Sequence, residues 1–262
     1  MSTLSYAVSD SATMLRRNLR YALRFPSTLI MALGVPILLL FLFVGVFGGA
    51  LGSSVGSASN GGRYIDYLVP GLIVMTVGYG GTTTALVVNG DLTGGIIARF
   101  RTMAISRSSV LVGHVVGALI RTMLSIALVI VVALLVGFRP AANIVGWLAV
   151  TGVVALLTLA LSWLAVAVGL QARNAAGTGG FTLVVQTLPF LSSAFVRPDS
   201  MSAPVAWIAA NEPYTPIINA MRGLLLGTPI GHDGLIAVAW CLGLSLAGFL
   251  WARALFNRDP AV

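Results

Sequence analysis

The chain has 262 residues, of which 58% are hydrophobic and 8% charged, with a mean hydropathy of +0.98, whereas soluble domains carry about 25% charged residues. That balance excludes an ordinary soluble fold, and its long, non-alternating apolar runs predict membrane-spanning helices of about 20 residues rather than a barrel. The net charge of +8 comes from fifteen arginines and no lysine, which excludes phosphate-loop and Schiff-base lysine chemistry and turns the charge question from nucleic acid to membrane sidedness.

Residues 10–25 predict an amphipathic helix with Asp10 or Ser11 as N-cap. Arg16, Arg17, Arg20 and Arg24 fall within an arc of about 100°, opposite Met14, Leu15, Leu19, Ala22 and Leu23. Such a helix lies in the inner interface, as a lipid anchor or as a lever on the first span. The first apolar run begins near residue 26 with no cleavage-site pattern, so it is expected to stay as an anchor.

Charge-free runs predict six spans, at Ser27 to Phe47, Tyr67 to Val88, Val110 to Val136, Ile144 to Leu170, Ala175 to Val196 and Leu235 to Trp251. With the N-terminus inside, cytoplasmic segments hold Arg16, Arg17, Arg20, Arg24, Arg99, Arg101, Arg107, Arg173, Arg253 and Arg258. The outer segments then hold only Arg63, Arg139, Arg197 and Arg222, so the positive-inside rule puts both termini in the cytoplasm of a multi-pass plasma-membrane protein. Arg121 falls within the third run, either snorkelling to the inner interface or held at depth for function.

Between runs, residues 49–63 are Gly/Ser-rich and read as a flexible connector. Residues 90–109, GDLTGGIIARFRTMAISRSS, read as a cytoplasmic helix capped by Asp91, with Leu92, Ile96, Phe100 and Met103 on one face and Arg99 and Arg101 at its borders. An apolar face rimmed by arginine suits a groove on a soluble partner or the lipid surface. Its glycines follow no strand and lack the lysine of a phosphate loop, so any ATP must be held by another chain. Residues 197–232 are semi-apolar but carry Pro198, Pro204, Pro213, Pro216 and Pro229. Prolines at those intervals predict short re-entrant helices at the outer face rather than a span.

Single residues carry less. Glu212 and Arg222, near a lipid boundary, are expected to be most stable if paired, and Asn211, Glu212, Pro213, Thr215 and Arg222 form a candidate outer gate. Gly45 and Gly49, like Gly113 and Gly117, have the small-xxx-small spacing of close helix contacts. Cys241, alone in the sequence, reads as a packing residue. His114 and His232 have no metal-ligand spacing, so no metal or cofactor is expected on this chain.

The run from Asp91 through Gly95, Arg99, Arg101, Ser106 and Arg107 to Gly113 resembles the cytoplasmic coupling loop of ABC-2 type permeases, especially the daunorubicin-resistance-like group. Residues 192–227 resemble the outer segment before that family's last span, with Phe195, Met201, Pro204, Trp207, Asn211, Pro213, Thr215, Arg222 and Gly227 in the expected order. Ala104 and Ile105 stand where the family often has a proline before the loop serine, and Glu212 separates an asparagine and proline that are often adjacent. The resemblance covers nearly the whole chain as a single transmembrane domain, 1–262. It implies an all-α exporter subunit that is no enzyme, pairs with a second permease chain and docks two ATP-binding cassette subunits carrying ATP and magnesium. On that reading Asp91, Ile96, Arg99, Phe100, Arg101, Met103 and Arg107 form the coupling segment, and the cargo is a lipophilic or amphipathic compound such as a drug, secondary metabolite or lipid.

Three rivals are weighed. An ion-coupled secondary transporter needs intramembrane carboxylates, and all seven acidic residues fall outside the predicted spans. An intramembrane hydrolase needs a nucleophile with its base, paired carboxylates or HExxH, none of which the sequence contains. A membrane partner subunit that binds without transporting would use the same cytoplasmic surface.

Overall fold

The computed structural model describes residues 26–49, 63–96 and 107–257, with side chains from Leu33 in the first segment and from Leu111 in the third. The amphipathic helix expected at 10–25, most of the 49–63 stretch and residues 97–106 lie outside the described residues. Among those described, the chain is helical throughout: α1 Pro26–Gly45, α2 Tyr64–Thr93, α3 Arg107–Val136, α4 Ile144–Gln171, α5 Gly179–Thr187, α6 Ala203–Asn211, α7 Tyr214–Leu226 and α8 Asp233–Asn257, with short 3-10 turns around α5 and before α6.

Four of these, α2, α3, α4 and α8, are long and apolar enough to cross a membrane. Where the first and fifth of the six expected spans were placed, the described residues show shorter apolar stretches, Leu33–Gly45, which is the part of the twenty-residue α1 with described side chains, and Ala175–Leu191. The predicted fifth span is broken for local reasons. Asn174 accepts a hydrogen bond from Gly177 N and opens a 3-10 turn, α5 lasts nine residues, and Pro189 falls in a second 3-10 turn where its missing N–H cannot continue the helical ladder. The chain then extends at Ser192, where it leaves the helical direction.

α2 is the central helix, with buried residues on all sides, and it packs on α4, α3 and α1, while α4 lies along α8. A membrane helix gains little from hydrophobic burial against its neighbours and depends on close packing. The close approaches occur at Gly71, Gly169 and Gly248. A Cβ on Gly71 would stand 2.7 Å from Ala194 Cβ, one on Gly169 2.6 Å from Ala85 O, and one on Gly248 2.7 Å from Leu164 N. Among the described residues nothing lies within 4 Å of a Cβ placed on Gly45 or Gly49, so their spacing marks no contact there. Gly169→Ala should lower stability by about 1–3 kcal/mol through overpacking, whereas Gly152→Ala, which meets nothing within 4 Å, should leave it unchanged. Thermal unfolding of the purified variants in detergent checks the contrast.

Aromatic stacking holds α1 to the break after α5. Phe195 stacks on Phe43 with ring centroids 4.7 Å apart and on Phe190 at 4.9 Å, in the offset range where such pairs add to simple burial.

Candidate functional site

Two polar clusters stand at opposite ends of α2, and a ladder of polar contacts between α2 and α3 runs between them. At the Tyr64 end, Asp66 Oδ1 accepts from Arg139 N at 3.1 Å, and Arg63 Nη1 donates to Gly137 O at 2.9 Å. Deeper in, Arg121 Nη2 donates to Thr84 Oγ1 at 3.0 Å, and two turns further along, Asp91 Oδ2 lies 3.4 Å from His114 Nε2. Seven residues separate Thr84 from Asp91 on α2 and His114 from Arg121 on α3, so the two antiparallel helices stay in one register along this seam. Arg121 thus reaches a hydroxyl on the neighbouring helix, an arrangement that neither reading of its position in the sequence contained.

The Asp91 end corrects one expectation. Asp91 does not cap a new helix: α2 runs through it to Thr93, and the helix stops at Gly94, whose N–H meets Gly90 O, followed by Gly95 at φ +72°, whose N–H meets Leu92 O. Nothing before that glycine pair breaks the helix, and a left-handed residue there is a standard helix stop. A carboxylate in a last helical turn opposes the helix dipole, and the buried imidazole of His114 offsets it. Ile96 is half-buried just past the stop. Arg99, Phe100, Arg101 and Met103 lie outside the described residues, and Arg107 begins α3. Sequence reasoning missed Asn89, which is 2% exposed and donates Nδ2 to Ala172 O at 2.6 Å and Gly169 O at 3.3 Å. Its signal was available: an amide inside an apolar run needs partners on a neighbouring helix.

At the opposite end, the prolines of 197–232 break the chain as expected into a 3-10 turn at Pro198–Ser200, α6 and α7. The expected Glu212–Arg222 pair does not form, because each finds other partners. Glu212, 6% exposed, accepts from Tyr214 N at 2.7 Å and from Thr215 N, capping the first turn of α7. Helix N-termini present unpaired N–H groups and a positive dipole end, so a carboxylate there needs no cation. Burial pushes the Glu212 carboxyl above its ordinary range, while the bonds from Tyr214 and Thr215 pull it back.

Arg222 lies over the Tyr67 ring, 3.7 Å from its centroid, and donates to Ser193 O at 2.9 Å, Asn219 Oδ1 at 2.9 Å and Tyr67 O at 3.2 Å. Tyr67 Oη also donates to Ser193 O at 2.9 Å, Tyr64 Oη to Phe195 O at 3.1 Å, and Ser193 N to Thr215 Oγ1 at 3.0 Å. The result joins α2, the break after α5 and α7 through one guanidinium. Asn211 is exposed and bonds to Trp207 O within α6, apart from the others, Pro213 sits at the N-cap of α7, and Glu212, Thr215 and Arg222 belong to the capping group and this network. Tyr64, Tyr67, Ser193 and Asn219 were not singled out in the sequence. Two tyrosines at the mouth of an apolar run were the available signal, since a buried phenol seeks a partner.

Among the described residues there is no group of histidine, cysteine and acidic side chains that could hold a metal ion. The contacts that are present form a set of helix junctions joining α2 to α3, α4 and α7.

Comparison with known proteins gives a consistent answer. The family described as ABC-2 type transporter matches residues 11–226. The daunorubicin resistance ABC transporter permease protein DrrB1 of Streptomyces coeruleorubidus is 29% identical over 241 residues, covering 92% of this chain and 80% of that protein. The probable doxorubicin resistance ABC transporter permease protein DrrC of Mycobacterium tuberculosis is 24% identical over 165 residues, covering 63% of this chain and 60% of its own length.

Proposed function

The chain belongs to the ABC-2 type transporter family as a multi-pass membrane permease subunit without catalytic activity of its own, and on that premise we propose that it forms the membrane half of an exporter driven by ATP hydrolysis on separate subunits. Two such cassette subunits dock at the Asp91 end, where residues 94–106 join α2 to α3, and a second permease chain completes the pathway. Both termini then lie in the cytoplasm, and the Arg222 network lies at the outer face. The cargo is an amphipathic or lipophilic compound, in keeping with the drug-resistance names of the two relatives.

The observation that carries this reading is the family match across residues 11–226, joined to the placement of residues 94–96 and the Arg222 network at opposite ends of the central helix. The acidic groups among the described residues support it against an ion-coupled carrier. Asp66 and Asp91 occupy the first and last turns of α2, Asp233 begins α8, and Asp199 and Glu212 lie outside the four long helices. None stands mid-span, where a coupling ion would be bound.

The test is reconstitution. The chain, with a cognate ATP-binding cassette protein in lipid vesicles, should move a fluorescent amphipathic cation such as daunorubicin only when ATP is supplied on the cassette side. Transport that follows an ion gradient without ATP, or cassette binding with no transport of any amphipath tried, would replace this reading with one of its rivals.

A further inference from the structure

The last two turns of α2 hold two neighbours at once. Asn89 places its amide nitrogen 2.6 Å from Ala172 O and 3.3 Å from Gly169 O. Those carbonyls belong to the end of α4, where the final C=O groups have no helical partner of their own. The amide of Asn89 thus terminates α4, and the close approach of Gly169 to Ala85 O lets α4 come near enough for it to do so. Asp91 meets His114 on α3 at 3.4 Å, and Thr93 Oγ1 donates to Asn89 O at 2.9 Å within the same turn.

These contacts sit at the root of the 94–106 segment. On the far side, Ala172 leads through Asn174, which caps the turn at Ala175–Thr178, into the broken run that ends at Ser192 and Ser193. Ser193 is the residue that Arg222, Tyr67, Thr215 and Asn219 hold at the other end. One short stretch of chain therefore connects the Asn89 junction to the Arg222 network.

We propose that Asn89, with the Asp91–His114 pair, is a positioning clamp that makes the ends of α2, α3 and α4 move together when the 94–106 segment is displaced, and so passes that displacement into the Ala175–Leu191 run. The clamp rests on the reading of 94–106 as the cassette-docking segment. Two features suit it to transmission. A fully buried amide whose acceptors are helix-end carbonyls tolerates little slippage, because each lost bond leaves polar groups unpaired in an apolar setting. The element that follows the clamp in the chain, moreover, is a nine-residue helix between two 3-10 turns, which is easier to reorient than a continuous span.

The experiment uses the full chain with its cassette protein in nanodiscs. Leu183, exposed on α5, is replaced by cysteine in a Cys241→Ala background and labelled with an environment-sensitive fluorophore. In the wild-type background the signal should change when ATP and vanadate trap the cassettes. In Asn89→Leu, cassette co-purification and basal ATPase should hold, while the trapped-state signal and ATP-driven transport fall by about tenfold, a typical coupling size. Asp91→Asn should act in the same direction and Asp91→Glu should restore the signal, which loss of fold alone would not produce. If Asn89→Leu does not accumulate, the Asp91→Asn and Asp91→Glu pair carries the test. A trapped-state signal that persists in Asn89→Leu or Asp91→Asn overturns the clamp alone. Failure of the unmutated chain to retain the cassette overturns the docking reading, and the clamp with it.

Discussion

Replacing Arg222 by methionine should cost on the order of 3 kcal/mol of stability and abolish ATP-driven transport, the larger of the effects expected at the Tyr64 end. Methionine keeps the apolar stem of the side chain and its fit beside Tyr67 but leaves Ser193 O, Asn219 Oδ1 and Tyr67 O without their guanidinium donor. Hydrogen bonds between membrane helices contribute roughly 0.6–2 kcal/mol each, and contact of the cation with the Tyr67 face adds about 1–2 kcal/mol where water is excluded. Losing them together frees the Ser192–Phe195 stretch from α2 and α7, although Tyr67 Oη and Thr215 still hold part of it.

Arg222→Lys should fall between the two. Its ammonium keeps the charge over the ring, but one point donor cannot serve three acceptors set by a planar fork. Unfolding free energies in mixed micelles, measured beside transport in vesicles, check the order wild type, lysine, methionine. Equal stability for all three would remove Arg222 from the structural network, and unchanged transport would remove it from the gate.

The contrast between Arg222 and Glu212 shows where sequence patterns stop being informative. Their opposite charges and common segment invited a pairing, yet Glu212 is consumed by the first turn of α7 and Arg222 by groups as distant in sequence as Tyr67. A carboxylate two residues before the α7 first turn is a local capping pattern and was open to reading from the sequence. The distant hydrogen-bond acceptors of Arg222 were not, because Tyr67 O and Ser193 O are main-chain carbonyls, which every residue has. The long apolar runs that became α2, α3, α4 and α8 were legible because their signal is repeated over many residues. So was the break-up of 197–232, where each proline removes a donor.

The run from Ala175 to Val196 misled because absence of charge says nothing about continuity. Its helix ends where Pro189 interrupts the ladder, and the extended chain beyond is tolerable in an apolar setting only because Thr215 and Ser192 side chains receive the N–H groups of Ser193 and Ala194. Asp91 misled in the opposite way. Its residue type suits an N-cap, but the helix it belongs to had not yet ended, and what settles its position is His114, a residue on the next helix.

Phe100→Asp should give the largest functional effect in the chain, loss of cassette binding without loss of membrane insertion. α2 stops at Gly94 and Gly95 and α3 begins at Arg107, so on the proposed docking reading a partner bound between them would push on the two helices that share the Asp91–His114 contact. Burying a phenylalanine side chain in a partner's groove is worth about 1.5–3 kcal/mol. A carboxylate in its place loses that term and adds the cost of an unpaired charge at the centre of the contact. Binding should weaken by about 100-fold or more. Arg101→Glu reverses a rim charge instead, so it should slow association and flatten or reverse the salt dependence, the defect shrinking as salt rises, while leaving the apolar anchor in place. The two variants therefore separate two occupants of the same surface. A protein groove predicts a severe defect in Phe100→Asp and a milder, salt-sensitive one in Arg101→Glu. A lipid surface predicts that cassette co-purification ignores both, and in that event the docking site must be sought on another expected cytoplasmic segment, with Arg173, Arg253, Arg258 and the basic stretch at 10–25 as the candidates.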